Sequence, residues 1–333
     1  MSHPKTGIRL TERILRHIDL GEAVGVILFG STAHSKADRL SDIDIAIFWN
    51  RNLNVYREVD IDGVRAELLW YPMKPLQELL KDGKLRDRRD TWIKACLWLN
   101  ILRGGVILHD REGLMEEYRE KALRWRWSRR ELKLTHGGVE GDLEMAERLL
   151  EEGDNLKASL CLRDALNLLT VYRLMSRGDI PSFRPKELYR AAEEMGESYL
   201  QTYREAMGLN GETSTEEALN LCAEIHSRFR AWSPTTERAF REVLKATARG
   251  SADLALLSAR HYALKALMEA LERRDRRTRV NYFYSDTHLK LLEKARRFED
   301  EILTRYLRLQ SLGRLLKAGE LKRMISVISG SYL

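Results

Sequence analysis

Two hydrophobic rhythms share the first 115 residues, and only one of them continues beyond. Residues 11–20 carry Ile14, Leu15 and Ile18 on one helical face, with Gly21 placed to stop the turn. Residues 24–29, VGVILF, are continuously apolar, as a strand buried on both faces would be. Residues 42–49 alternate, with Ile43, Ile45 and Ile47 to one side. Residues 55–61 and 64–71 flank Asp62-Gly63, a two-residue hairpin signal. Residues 92–102 are apolar almost all round, as a helix beneath a sheet would be. Residues 106–108 form a further short strand after Gly104-Gly105.

Beyond Leu114 the strand rhythm stops and a 3.6-residue period takes over. Gly153, Gly178 and Gly250 read as helix stops, Ser214-x-x-Glu217 as a capping box, and Ser233-Pro234 as a helix start. Residues 181–185 break helix. Eight or nine helices are expected here. The fold class is therefore α+β: a small mixed sheet packed with helices over residues 1–115, then an all-α bundle over 116–333, divisible near 210. Residues 163–175 and 260–271, each a long helical stretch headed by Arg, hint at an internal repeat.

Composition narrows the class. The chain has 333 residues, enough for two cores, and at 44% apolar and 32% charged it is globular rather than disordered. No apolar run nears the roughly 20 residues of a membrane span. Cys96, Cys161 and Cys222 are odd in number and widely spaced, which argues against a disulfide framework or a zinc knuckle. A cytoplasmic location with no membrane partner is the expectation. A net charge of +7 tilts the surface toward phosphate-bearing partners, but only weakly at this length.

The candidate chemistry lies in "GVILFGSTAHSKADRLSDIDIAIFW", residues 25–49. Asp42 and Asp44 are i and i+2 in a strand, so they project to one side. Two converging carboxylates repel, and a hard divalent cation, Mg²⁺ or Mn²⁺, is the natural counter-charge. Glu67 lies in "VRAELLWY", on the second arm of the hairpin, among Ala66, Leu68 and Leu69. It is a third carboxylate, suited to bind a metal or to accept a hydroxyl proton. Gly30 and Ser31 follow the apolar strand, and a short helix beginning near Thr32 would aim N–H groups and the Ser31 hydroxyl at phosphates.

Gly-Ser, a spacer, Asp-x-Asp and a later acid resemble the signature of the polymerase-beta-like nucleotidyltransferase superfamily. The short spacer and Ser41-Asp42-Ile43-Asp44 are similar to its kanamycin nucleotidyltransferase and minimal nucleotidyltransferase branch. The resemblance covers about residues 8–115. It implies that Gly30 and Ser31 bind the triphosphate, that Asp42 and Asp44 ligate two metal ions, and that Glu67 ligates the catalytic one. It also implies transfer of a nucleoside monophosphate, AMP from ATP, to a hydroxyl on a small molecule or protein, with release of pyrophosphate. RNA is the alternative acceptor, and a non-catalytic nucleotide-binding partner or antitoxin-type protein the alternative function. His34-Ser35 stands where the branch usually carries Arg-Gly. The C-terminal half resembles, more loosely, the substrate-binding or HEPN-like helical domains of that branch.

Other signals carry less. Residues 118–134 hold seven basic and two acidic residues with Trp125 and Trp127 among them, which suits either stacked single-stranded RNA or a packed seam with a solvated basic face. Arg103/His109 and Arg130/His136 match the spacing of HEPN ribonuclease motifs, a spacing that chance also supplies in a chain this rich in arginine. His261, beside Arg260, suits an acceptor pocket or an ordinary partly buried position.

Overall fold

The computed structural model describes residues 11, 13–16, 20–33, 41–61, 63–82, 89–209, 215–228, 234–274, 288–296, 301–313 and 315–331. The chain divides into two compact units, Met1–Ser128 and Arg129–Leu333.

The first unit is built on a five-stranded sheet. Its elements are β1 (Ala23–Phe29), a single helical turn α1 (Gly30–Ala33), β2 (Ile43–Trp49), β3 (Val55–Ile61) and β4 (Val64–Pro72). Helices α2 (Met73–Asp82) and α3 (Arg89–Gly104), strand β5 (Val106–Asp110), a 3-10 turn (Arg111–Gly113) and α4 (Leu114–Leu123) complete it. The sheet order is β3-β4-β2-β1-β5. Only the β2–β4 pairing is parallel; β1–β2, β1–β5 and β3–β4 are antiparallel. The sheet with its helices, followed by helices alone, makes the fold α+β.

Both faces of the sheet are covered. Val26, Leu28, Ile43, Ile45, Ile47, Ala66, Leu68 and Trp70 form one core face with Ile14, whose segment is helical as its spacing predicts. The opposite face carries Phe48 and Tyr71, and the Tyr71 ring meets Trp98 of α3 edge-on at 6.0 Å. Asp110 ends β5 and accepts hydrogen bonds from the Met115 and Glu116 N–H groups, satisfying two of the first donors of α4. The unit runs on past α4, where Trp127 stacks on Trp92 with ring centroids 5.5 Å apart and Trp125 packs edge-on against Trp127.

The second unit is helical throughout its described residues: α5 (Arg129–Glu151), α6 (Asn155–Ser176), α7 (Pro185–Glu194), α8 (Glu197–Met207), α9 (Thr215–Arg228), α10 (Pro234–Ala248), α11 (Ala252–Arg274), α12 (His288–Arg296), α13 (Glu301–Ser311) and α14 (Ala318–Ser331). From Leu114 onward eleven helices are described, more than the eight or nine expected, because breaks as short as Met195-Gly196 separate them. Gly153, Gly178 and Gly250 end helices with positive φ. Ser214 and Ser233 lie outside the described residues, although the helices they were expected to start begin at Thr215 and Pro234. The three cysteines are buried and free. Among the described residues, no helix is long and apolar enough to cross a membrane.

Two buried arginines organise this bundle. The last four carbonyls of a helix lack intrahelical donors. In α8, the N–H groups of Gly208 and Leu209 satisfy Glu205 and Arg204. The remaining two carbonyls, Ala206 and Met207, are met by the guanidinium groups of Arg163 (α6) and Arg260 (α11). The same two side chains reach the end of α13: Arg163 bonds the Gln310 carbonyl at 2.8 Å, while Arg260 bonds those of Leu309 and Leu312. These arginines head the two similar sequence segments and take matching places between the same two helix ends. Burial, with Arg163 nearby, holds the Arg260 guanidinium well below its ordinary range. The negative ends of two helices offset that cost. Arg260→Met should leave buried carbonyls without donors, at about 1–3 kcal/mol each. Urea unfolding of the variant is expected to show a loss of that order, and an unchanged midpoint would contradict the bridging role.

Candidate active site

The β2–β4 register decides where the acids go. Asp44 is directly opposite Glu67, and across β1 it is opposite Phe29. Paired residues on neighbouring strands point to the same face, so Phe29, Asp44 and Glu67 form one row. Asp42 lies immediately before β2, two residues from Asp44, and the strand's alternation extended by one residue assigns it to that side. Sequence alternation alone puts the isoleucines in a core, but the acids' own face is covered too: Ala46 and Phe48 are fully buried. Asp42 and Asp44 stay half-buried because they sit at the start of the strand, ahead of that packing. Glu67 lies deeper, at 1% exposure.

The row has a fourth member. Glu58 of β3 is opposite Glu67 and accepts a hydrogen bond from Tyr56. It is exposed at the sheet edge. Counting outward from the Gly63 turn, 61 against 64 and 58 against 67, would have found it.

Gly30 and Ser31 occupy the first positions of α1, at the end of β1. Gly30 has φ of +75°, and a Cβ there would lie 2.3 Å from Asp44 Oδ2. The glycine thus does two jobs: it turns the chain and leaves a cradle into which the Asp44 carboxylate fits. Thr32 Oγ1 donates to the Asp42 carbonyl at 3.2 Å, tying the turn to the entry of β2. Sequence reasoning missed this tie, since a lone Thr in a polar loop carries no sign of it. The helix begins at Gly30 rather than near Thr32, and its described part is one turn. A single turn has little macrodipole, so phosphate binding here would rest on individual N–H and hydroxyl groups. His34 and Ser35 lie outside the described residues.

The donor set suits a hard divalent cation: Asp42, Asp44 and Glu67 offer only oxygens. Among the described residues, however, no three His, Cys, Asp or Glu side chains converge closely enough to cage a metal ion. Mg²⁺ is commonly held by one or two carboxylates together with substrate phosphates rather than by an all-protein cage. The arrangement of Asp42 and Asp44 fits that mode, with Glu67 behind them.

The weaker candidates have structural duties. Trp125 and Trp127 are 5% and 8% exposed, so neither ring offers a face to a stacked base. Arg119 donates to the Leu102 and Gly105 carbonyls, and Lys121 and Arg124 pair with Glu117 and Glu120. Arg103 bonds the Ala122 and Trp125 carbonyls, and His136 packs on Tyr172.

Residues 14–81 match the family described as "Polymerase beta, Nucleotidyltransferase". The match spans β1 through α2 and includes Gly30, Ser31, Asp42, Asp44 and Glu67. A search of curated proteins found no match. Among solved structures, a nucleotidyltransferase-like protein from Exiguobacterium sibiricum 255-15 is similar at 13% identity and a TM-score of 0.38, covering 97% of this chain and 90% of that one.

The two positive-φ glycines of this region provide a test of the cradle. Gly63 has the same φ as Gly30, with open space where a Cβ would go. Gly63→Ala should cost only the backbone term, about 1–2 kcal/mol. Gly30→Ala should cost more, because Asp44 must also move. Equal losses in urea unfolding would show that Asp44 yields freely and that Gly30 is not needed for it.

Proposed function

We propose that the first unit transfers a nucleoside monophosphate, AMP from ATP, to a hydroxyl group on a small molecule or a protein. The observation that carries this reading is the register of Asp44 with Glu67 beside the Gly30 cradle, within the stretch matched to the nucleotidyltransferase family. In the reaction the acceptor oxygen bonds to the α-phosphorus, the bond from the α-phosphorus to the bridging oxygen of the β-phosphate breaks, and pyrophosphate leaves.

Asp42 and Asp44 would hold Mg²⁺ or Mn²⁺ against the triphosphate, and Glu67 would complete the ligand set of the catalytic ion. Divalent cations bound there would supply acidity to the acceptor hydroxyl and counter-charge to the α-phosphoryl group. Ser31 and the N–H groups of the α1 turn orient the β- and γ-phosphates, and Gly30 lets them approach the backbone. If Glu67 is reached directly by the acceptor, it takes the hydroxyl proton. Phe48 and Tyr71, packed farther along the acids' own face, and the isoleucine core behind it keep the acids fixed while substrate comes and goes.

The decisive experiment supplies α-labelled nucleoside triphosphates, Mg²⁺ or Mn²⁺, and cell extract separated into small-molecule, protein and RNA fractions. Label is expected in the small-molecule or protein fraction, with ATP the best donor; label confined to RNA would overturn the acceptor class. Asp44→Asn should reduce transfer by about 10³-fold or more, several kcal/mol of lost charge stabilisation at about 1.4 kcal/mol per tenfold. Activity surviving that change would remove Asp44 from the site. Thermal stabilisation by Mg²⁺-ATP with no labelled product in any fraction would make the unit a nucleotide-binding module instead.

A further inference from the structure

The acid face of the sheet also carries a cation. Arg65 lies two residues before Glu67 on β4, so its side chain leaves the same face. On β3 it is opposite Asp60. The β2–β4 register, extended one residue beyond the pairing of Ile43 with Ala66, sets it beside Asp42. Because β2 and β4 are parallel, Asp42 and Arg65 stand at the same end of the sheet. Neighbouring strands are about 4.8 Å apart, which puts Arg65 one strand from Asp42 and two from β1, whose end leads into Gly30.

The carboxylates of β3 on this face have other partners. Asp60 accepts the Gly63 N–H at 3.0 Å, closing the hairpin, and Glu58 accepts the Tyr56 hydroxyl. Arg65 is half-buried, and among the described residues its side chain makes no hydrogen bond or ion pair. The other arginine of the hairpin, Arg57, is opposite Leu68 on the alternate face and lies over the Trp70 ring at 5.6 Å. Two divalent ions leave three carboxylates and a triphosphate short of neutrality, so an uncommitted guanidinium beside them is drawn to the nucleotide.

We propose that Arg65 is a catalytic residue whose guanidinium binds the non-bridging oxygens of the α-phosphoryl group. The inference rests on the nucleotidyl-transfer reading of this site. Placement decides which phosphate it meets. The α1 turn at the end of β1 takes the β- and γ-phosphates, and Arg65 lies on the far side of Asp42 and Asp44 from that turn. Its planar fork spans two oxygens. As the acceptor oxygen bonds to the α-phosphorus and pyrophosphate leaves, charge on those oxygens meets a fixed cation. Arg65 stays protonated throughout and neither gives nor takes a proton.

The test is calorimetric titration of the full chain, in Mg²⁺, with α,β-methylene-ATP, which resists transfer, and separately with pyrophosphate. Arg65→Met should weaken the analogue roughly tenfold or more and leave pyrophosphate unchanged. Arg57→Met, which removes the same charge from the other face, should change neither. Arg65→Lys keeps the charge without the fork and should fall between parent and Arg65→Met. Thermal unfolding of Arg65→Met should match the parent, since no protein contact is lost. In label transfer, Arg65→Met should lower kcat by about 10³-fold with the acceptor KM unchanged. Equal losses for analogue and pyrophosphate would overturn the assignment, as would unchanged analogue affinity with a raised acceptor KM, which would place Arg65 on the acceptor. Analogue binding that depends on Arg65 without transfer of label would refute nucleotidyl transfer and leave the Arg65 contact standing. Failure of the parent chain to bind the analogue would overturn both.

Discussion

The first unit depends on one parallel pairing, β2 against β4. It puts Asp44 opposite Glu67 and, on the alternate positions, Ile43, Ile45 and Ile47 opposite Ala66, Leu68 and Trp70. A slip of one residue would turn every side chain of β2 over, sending Asp44 into the apolar face that contains Ile14 and the isoleucines toward the acids. Burial of each isoleucine contributes about 1.5–3 kcal/mol, so the core enforces the register that gathers the carboxylates. The cost of holding like charges together is thus borne by the packing behind them.

Charge compensation explains much of the rest. The helical unit buries Arg163 and Arg260, yet each guanidinium finds carbonyls at the ends of α8 and α13, and those carbonyls need donors as much as the arginines need acceptors. The exchange locks together segments up to 147 residues apart in sequence.

What the sequence made legible was whatever is local. Strand period, the Asp62-Gly63 turn and the i, i+2 spacing of Asp42 and Asp44 sufficed to find the strands and align the acids, because side-chain direction in a strand is fixed by parity alone. What escaped was set by distant contacts. Nothing near Phe48 announces that Tyr71 and Trp98 will cover its face. Arg163 reads as one more cation of a basic chain until the helix ends it serves are known. Trp125 and Trp127 look as suited to stacking bases as to stacking on Trp92, and only the fold chooses. Gly30 was legible as a turn, but its second task, making room for Asp44, depends on a strand fourteen residues on.

The depth difference among the three acids has a chemical consequence on the proposed reading. Asp42 and Asp44 are reachable from solvent, whereas Glu67 is buried and no ready-made three-ligand cage exists among the described residues. Two half-buried carboxylates offer a hydrated divalent ion a weak site, since Mg²⁺ gives up its water reluctantly and prefers phosphate oxygens as the remaining ligands. Metal and triphosphate would therefore complete each other's coordination, and each should bind more tightly in the presence of the other, by the same factor in both directions. Half-burial of the two aspartates would then serve to bring metal and nucleotide in together, rather than being a defect of the site.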